Sequence, residues 1–193
     1  MKTMNWALSI ILGLFSVNAH AVGRYTADAD SGVTRIDIGF MRNDRTSNYS
    51  GQSAVDTQIN HLNTKVGYVF TNGFYLGGLY EYSTFEFQTT NASTDNRTGY
   101  GASLGYFNSG FYVMGTYFVS STYTFSGGDT FTGSSSYLAE VGYNYNVAGN
   151  FNVGLGIVYA SYSWNQHTSG GTTISQTNTQ TDTYPCVNLG FSF

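Results

Sequence analysis

Large apolar residues recur at every second position along most of this chain, in about eight separate stretches. Ile36, Ile38 and Phe40 share a face against Arg35, Asp37, Gly39 and Met41. Leu62, Val66, Tyr68 and Phe70 oppose His61, Asn63, Lys65 and Gly67, and Phe74, Leu76, Tyr80 and Tyr82 oppose Tyr75, Gly77, Leu79 and Glu81. The fourth stretch sets Tyr100, Ala102, Leu104 and Tyr106 against Gly99, Gly101, Ser103 and Gly105. The fifth, Phe111, Val113, Tyr117 and Val119, has bulky residues on its other face too. The sixth runs Tyr137, Ala139, Val141, Tyr143, Tyr145 and the seventh Phe151, Val153, Leu155, Ile157, Tyr159. The chain ends on an eighth, Val187, Leu189, Phe191, Phe193. A period of two places alternate side chains on opposite faces, so each stretch predicts a β-strand with one apolar face.

The connections alternate between short and long. Thr71-Asn72-Gly73 and Val147-Ala148-Gly149 read as three-residue hairpin loops with glycine last, pairing Phe70 with Phe74 and Tyr145 with Phe151. Phe107-Asn108-Ser109-Gly110 is also short. The segments 43–56, 88–96, 126–135 and 165–180 are rich in Ser, Thr, Asn, Gly and Gln and read as long connections. The expected topology is an all-β, up-and-down antiparallel meander of eight strands, or ten if the segment 165–181 holds an extra hairpin.

Composition then decides which way the apolar face turns. Only 9% of residues are charged, against roughly 25% in ordinary soluble domains, whereas 17% are aromatic. Charges that would cover a water-facing surface are scarce. The face opposite the apolar one carries glycines, Asn, Ser and the charges Arg35, Asp37, Lys65, Glu81 and Glu140. An eight-stranded barrel has an interior that side chains just fill; small and polar residues fit there, and rows of Tyr, Phe and Leu do not. The apolar face is therefore expected outside, against lipid, in a closed transmembrane barrel with no unpaired edge in hydrocarbon. Phe70, Phe74, Tyr106, Phe111, Tyr145 and Phe151 all fall where strands meet short turns and form an expected aromatic girdle at one boundary.

The first 21 residues differ from the rest. Lys2 precedes an apolar run from Trp6 to Val17 and a small-residue site, Ala19-His20-Ala21. This reads as a cleaved secretory signal peptide over 1–21, leaving a mature chain from Val22. A short N-terminal segment, 22–32, would precede the barrel, 33–193. One cysteine, Cys186, allows no internal disulfide. The acidic balance, net charge −4, gives no support to nucleic-acid binding.

Taken together, the signal peptide, eight alternating strands, turns short on one side and long on the other, and a terminal Phe193 resemble the small outer-membrane β-barrels of Gram-negative bacteria. OmpX-type proteins and the membrane domain of OmpA-type proteins are the nearest comparison. The resemblance implies short turns and both termini in the periplasm, long loops outside the cell, and outer-membrane lipid and lipopolysaccharide around the wall. It further implies that Val187, Leu189, Phe191 and Phe193 act as the C-terminal signal read by the barrel-assembly machinery. Unlike OmpA-type proteins, the chain is expected to stop at the barrel, without a peptidoglycan-binding domain.

Arg35, Asp37, Lys65, Glu81 and Glu140 are the expected lumen charge network, with Lys65 diagonal to Glu81 across the second and third strands. That network reads either as structural pairing or as a gate whose partner exchange opens a narrow path. No catalytic, cofactor or metal site is expected: His61 and His167 have no metal-spaced partners, and no helix follows the glycines of GASLGY or GLGIVY. The functional readings are a structural or surface-interaction protein acting through its long loops to an extracellular ligand, a small gated pore, and a barrel binding hydrophobic molecules near Tyr162 and Trp164. Pro185, nine residues from the end counting Phe193, is expected near the outer boundary, because proline cannot donate to a ladder.

Overall fold

The computed structural model describes residues 32–47, 55–88 and 93–193; the expected signal peptide and the segment 22–31 lie outside them. Among the described residues nine strands run in chain order: β1 Val33–Ser47, β2 Val55–Val69, β3 Phe74–Gln88, β4 Ser93–Asn108, β5 Phe111–Thr124, β6 Thr130–Ser134, β7 Ser136–Ala148, β8 Phe151–Ser169 and β9 Thr172–Ser192. Each pairs antiparallel with its neighbours, and the β4–β5, β7–β8 and β1–β9 pairings complete a ring of hydrogen-bonded strands. The fold is a closed, antiparallel, all-β barrel.

The wall has eight staves. β6 and β7 are one stave interrupted at Ser135, since both lie between β5 and β8. Gly133, at φ +69, makes the kink, and Ser135 N–H still donates to Ser163 O at 2.8 Å. The ten-stranded alternative does not occur among the described residues. The segment 165–181 does hold a hairpin, but it is the upward continuation of β8 and β9, which pair as far as Ser169–Thr172.

That continuation corrects the expected long connection over 165–180. Gly170 (φ +56) and Gly171 (φ +82) form its two-residue turn, the left-handed pair that a type I′ hairpin demands. Similarly, β5 and β6 are joined by a turn over 125–129 in which Phe125 N–H donates to Asp129 O at 2.9 Å. Much of the polar sequence expected as loop is strand standing clear of the apolar zone.

At the opposite end the turns are tight. Thr71-Asn72-Gly73 is a three-residue loop: Phe70 N–H donates to Phe74 O, and Gly73, at φ +84, donates to Phe70 O, each at 2.8 Å. The loop expected over 147–149 is shorter than that. Ala148 pairs with Phe151 and Tyr145 with Val153, so a bulge at Val147 absorbs the residue that parity assigned to the turn. Ser109 and Gly110 turn β4 into β5 at φ +51 and +91. Serine is strained in that conformation, which asparagine tolerates better. Ser109→Asn is expected to raise the unfolding free energy by a few tenths of a kcal/mol, up to about 1, read from denaturant midpoints in micelles; a lowered midpoint would contradict this account of the turn.

The chain terminus is part of the wall. Phe193 and Thr34 exchange both backbone hydrogen bonds, at 2.9 Å each, and six further pairs follow from Arg35–Ser192 to Phe40–Val187. Alternation resumes its expected sense everywhere: Leu104, Phe111, Val113, Tyr117, Val119, Ile157 and Phe193 are more than half exposed on the outer face. On each stave this apolar zone gives way to polar residues above it: Arg42, Asn60, Thr84, Thr98, Thr122, Ser135, Ser161 and Thr183. On β9 the zone is Pro185 to Phe193, nine residues.

Candidate functional site

The lumen gathers the polar residues that the outer face lacks, in three groups. Nearest the short-turn end, Arg35 grips Asp37 on its own strand with two bonds, Nε–Oδ2 at 2.6 Å and Nη2–Oδ1 at 2.5 Å. The Arg35 guanidinium also lies 5.0 Å from the Phe107 ring. Residues two apart on a strand share a face, which is why this pair forms locally.

The second group crosses the barrel. Lys65 Nζ on β2 reaches Glu140 Oε2 on β7 at 2.6 Å. Glu140 Oε1 accepts from Tyr112 OH at 2.6 Å and from Asn188 Nδ2 at 2.8 Å. Tyr112 can span that distance because Gly142 and Gly156 lie beneath its hydroxyl, where any Cβ would collide with it. Cys186 Sγ lies 3.6 Å from the same carboxylate.

The third group centres on Arg97, fully buried on β4. Its Nη2 bonds Glu81 Oε1 at 2.8 Å and its Nη1 bonds Asp182 Oδ2 at 2.7 Å. The guanidinium stacks 3.7 Å over the Tyr162 ring, and Tyr162 OH donates to Glu81 Oε2 at 2.6 Å. Ser83 Oγ donates to Glu81 Oε1 at 3.0 Å and lies 2.9 Å from His61 Nδ1.

All five sequence-predicted lumen charges, Arg35, Asp37, Lys65, Glu81 and Glu140, are buried inside the ring. Their partners differ from the expectation. Lys65 stands opposite Leu79 as the register reading has it, but it pairs with Glu140 rather than Glu81. Glu81 pairs instead with Arg97. Arg97 and Asp182 are absent from the sequence-based set, although parity places them inward: Arg97 is in step with Gly99 and Gly101, and Asp182 with Tyr184 and Cys186. They sit at the edges of segments read as loops, where the apolar partner face has already faded.

Above these groups the lumen is filled. Phe118, Leu138, Val158, Ala160, Tyr162, Trp164 and Tyr184 form one buried cluster. Tyr162 and Trp164 are fully buried within it, with Trp164 Nε1 donating to Ser121 O at 3.1 Å. Phe125 and Phe131 close the top, and Asp95 pins their turn through Tyr123 OH (2.8 Å) and Ser126 N–H (2.9 Å). His61 and Ser83 meet, but in the wrong order for a serine nucleophile. There an acid orients the histidine, which takes the serine proton; here serine stands between histidine and Glu81.

The assembly-signal positions Val187, Leu189, Phe191 and Phe193 all point outward, with Phe191 and Phe193 rings 5.8 Å apart. Phe70, Phe74, Tyr106, Phe111 and Tyr145 are exposed around the short-turn rim, and Phe151 is half-buried there.

No family model matches the sequence, and no curated protein matches it. Among solved structures, the chain is similar to the β domain of the Bordetella autotransporter BrkA, at 14% identity and a TM-score of 0.42, over 84% of this chain and 71% of that one.

Proposed function

We propose that this chain is an integral outer-membrane β-barrel of the small OmpX-type or OmpA-type kind, exported through its signal peptide and with a structural or surface-interaction role. The observation that carries the reading is the inversion of the barrel. A ring whose lumen holds three cations and four carboxylates in ion pairs exposes Phe, Tyr, Leu and Val all round its outside. Water would penalise so large an apolar surface, whereas lipid does not. Nine residues of tilted strand are what a bilayer requires, about 9–11. The short turns and termini then face the periplasm, and the polar strand extensions, the β8–β9 arm above all, face outward to an extracellular ligand. Lipopolysaccharide surrounds the outer half, and the assembly machinery reads Val187, Leu189, Phe191 and Phe193. No catalytic role is proposed.

A second reading, a small gated pore, has one observation in its favour. The side-chain oxygens of Asn63, Asn144, Asn152 and Asn188 are buried without a protein partner, and water is the natural donor for such groups. Planar-bilayer recording separates the two. The wild-type barrel is expected to show no steady conductance, because paired charges and the aromatic cluster interrupt the bore; a large, steady conductance would favour the pore. Cells carrying a barrel without residues 167–174 are expected to keep the folded protein and lose surface adhesion.

A further inference from the structure

The wall has a wedge-shaped opening, and its cause can be read from hydrogen-bond parity. Above the pair Phe40–Val187 no register pair joins β1 to β9 among the described residues. Phe193 exchanges both bonds with Thr34, so the odd-numbered residues of β9 turn their N–H and C=O toward β1. Ser192 N–H reaches Asn150 O at 3.0 Å on the other side, as that alternation requires. After Val187 the next N–H due to β1 belongs to Pro185, which has none. The ladder stops there, and residues 41–47 of β1 pair only with β2.

In this wedge lies a cleft of about 230 Å³, lined by Asn43, Ile59 and His61 on one side and Thr181, Asp182, Thr183 and Tyr184 on the other. It opens at the upper edge of the apolar zone, where Thr183 and Thr181 replace Val187 and Leu189 on the outer face. Phe125 and Phe131 pack on the aromatic cluster that fills the upper lumen, rings 5.6 Å apart, and the wedge offers a lateral route.

The groups around the cleft are mostly acceptors. Ser83 donates its one hydroxyl proton to Glu81, so its contact with His61 requires the proton on Nδ1. His61 Nε2 is then a lone-pair acceptor with no protein partner among the described contacts. The Thr181 and Thr183 carbonyls face the open side by parity. Asp182 borders the cleft, its Oδ2 on Arg97 and its Oδ1 3.4 Å from Gln180 Nε2; the lumen side holds one cation, Arg97, against two carboxylates, Glu81 and Asp182, while on the outer side of β1 Arg42 is matched by Asp44 at 3.8 Å. Both arms of Arg97 are already committed to those two, so an excess negative charge faces the opening.

We propose that this cleft binds a primary ammonium group, reached sideways through the wedge between β1 and β9. Asp182 supplies the counter-charge; His61 Nε2 and the threonine carbonyls accept the ammonium protons, three donors meeting several convergent acceptors. The site is separate from the extended arm and from any role of the lumen in conduction.

The test is isothermal titration calorimetry of the folded barrel in an uncharged detergent, with n-butylammonium and spermidine as probes and n-butanol as the neutral control. Saturable binding of both amines without binding of n-butanol is expected. Asp182→Asn should weaken it by roughly tenfold or more. Pro185→Thr restores the missing N–H, extends the β1–β9 ladder and narrows the wedge; it should keep the barrel folded and abolish saturable binding. Equal heats for n-butanol and n-butylammonium overturn the proposal, as does unchanged affinity in Asp182→Asn. If Asp182→Asn does not fold, unchanged binding in Pro185→Thr overturns it equally.

Discussion

Replacing Arg97 with alanine is expected to lower the unfolding free energy of the barrel by about 3–5 kcal/mol, the usual cost of removing one partner from a buried ion pair. Arg97, Glu81 and Asp182 are each buried. Without the guanidinium, two carboxylates remain in the lumen with no cation between them, and the Tyr162 ring loses the charge stacked 3.7 Å above it. Arg97→Lys should recover only part of the loss, since an ammonium cannot offer the planar fork that reaches Glu81 and Asp182 together. The triple variant Arg97→Met, Glu81→Gln, Asp182→Asn separates the two components of the effect. If stranded charge is the main cost, it should be clearly more stable than Arg97→Ala. Urea unfolding in micelles, followed by Trp164 fluorescence and by heat-dependent gel mobility, measures all of them. An Arg97→Ala barrel within about 1 kcal/mol of wild type would show that water or relaxation already screens the group.

The same network shows what a sequence reading reaches and what it does not. Which residues point inward follows from period two alone, because Lys65, Glu81 and Glu140 sit on faces whose opposites are visibly apolar. Which residues pair does not follow. Lys65 and Glu140 are on β2 and β7, strands that do not pair; their meeting depends on how many staves close the ring and how they are staggered. A diagonal partner on the adjacent strand, Glu81, was the local choice, and a competing cation on β4 took it. The upper strands were hidden for a different reason. From Asn165 on β8 and Thr181 on β9 up to the turn, both faces meet water and are mostly Thr, Ser, Asn and Gln, so little contrast in polarity marks the alternation. Only the Gly170-Gly171 dipeptide signalled a hairpin. That proline cannot donate to a ladder is legible at Pro185 in the sequence; which ladder it interrupts depends on the parity of β9 relative to β1, which only the register supplies.

Phe193→Asp is expected to separate folding in the test tube from assembly in the cell. The terminal residue contributes two things to the wall. Its backbone closes the ring by exchanging bonds with Thr34, and any residue but proline can do that. Its side chain, 60% exposed, stands at the short-turn rim beside Phe191, where a charge on the lipid face costs only about 0–1 kcal/mol. Refolding of the purified variant into micelles should therefore be close to wild type, with the same heat-dependent mobility shift. In cells the expectation is a strong loss of membrane-inserted protein, because a terminal aromatic on the outward face is the feature that the assembly machinery is proposed to read, together with Val187, Leu189 and Phe191. Phe193→Tyr keeps the aromatic and should assemble normally. Pro185→Thr, eight residues earlier and outside that set, should also assemble. Wild-type membrane yield for Phe193→Asp would remove the proposed signal. Failure of the same variant to refold in micelles would instead mean that the Phe193 ring, with its Phe191 contact at 5.8 Å, holds the β1–β9 seam shut at its lower end.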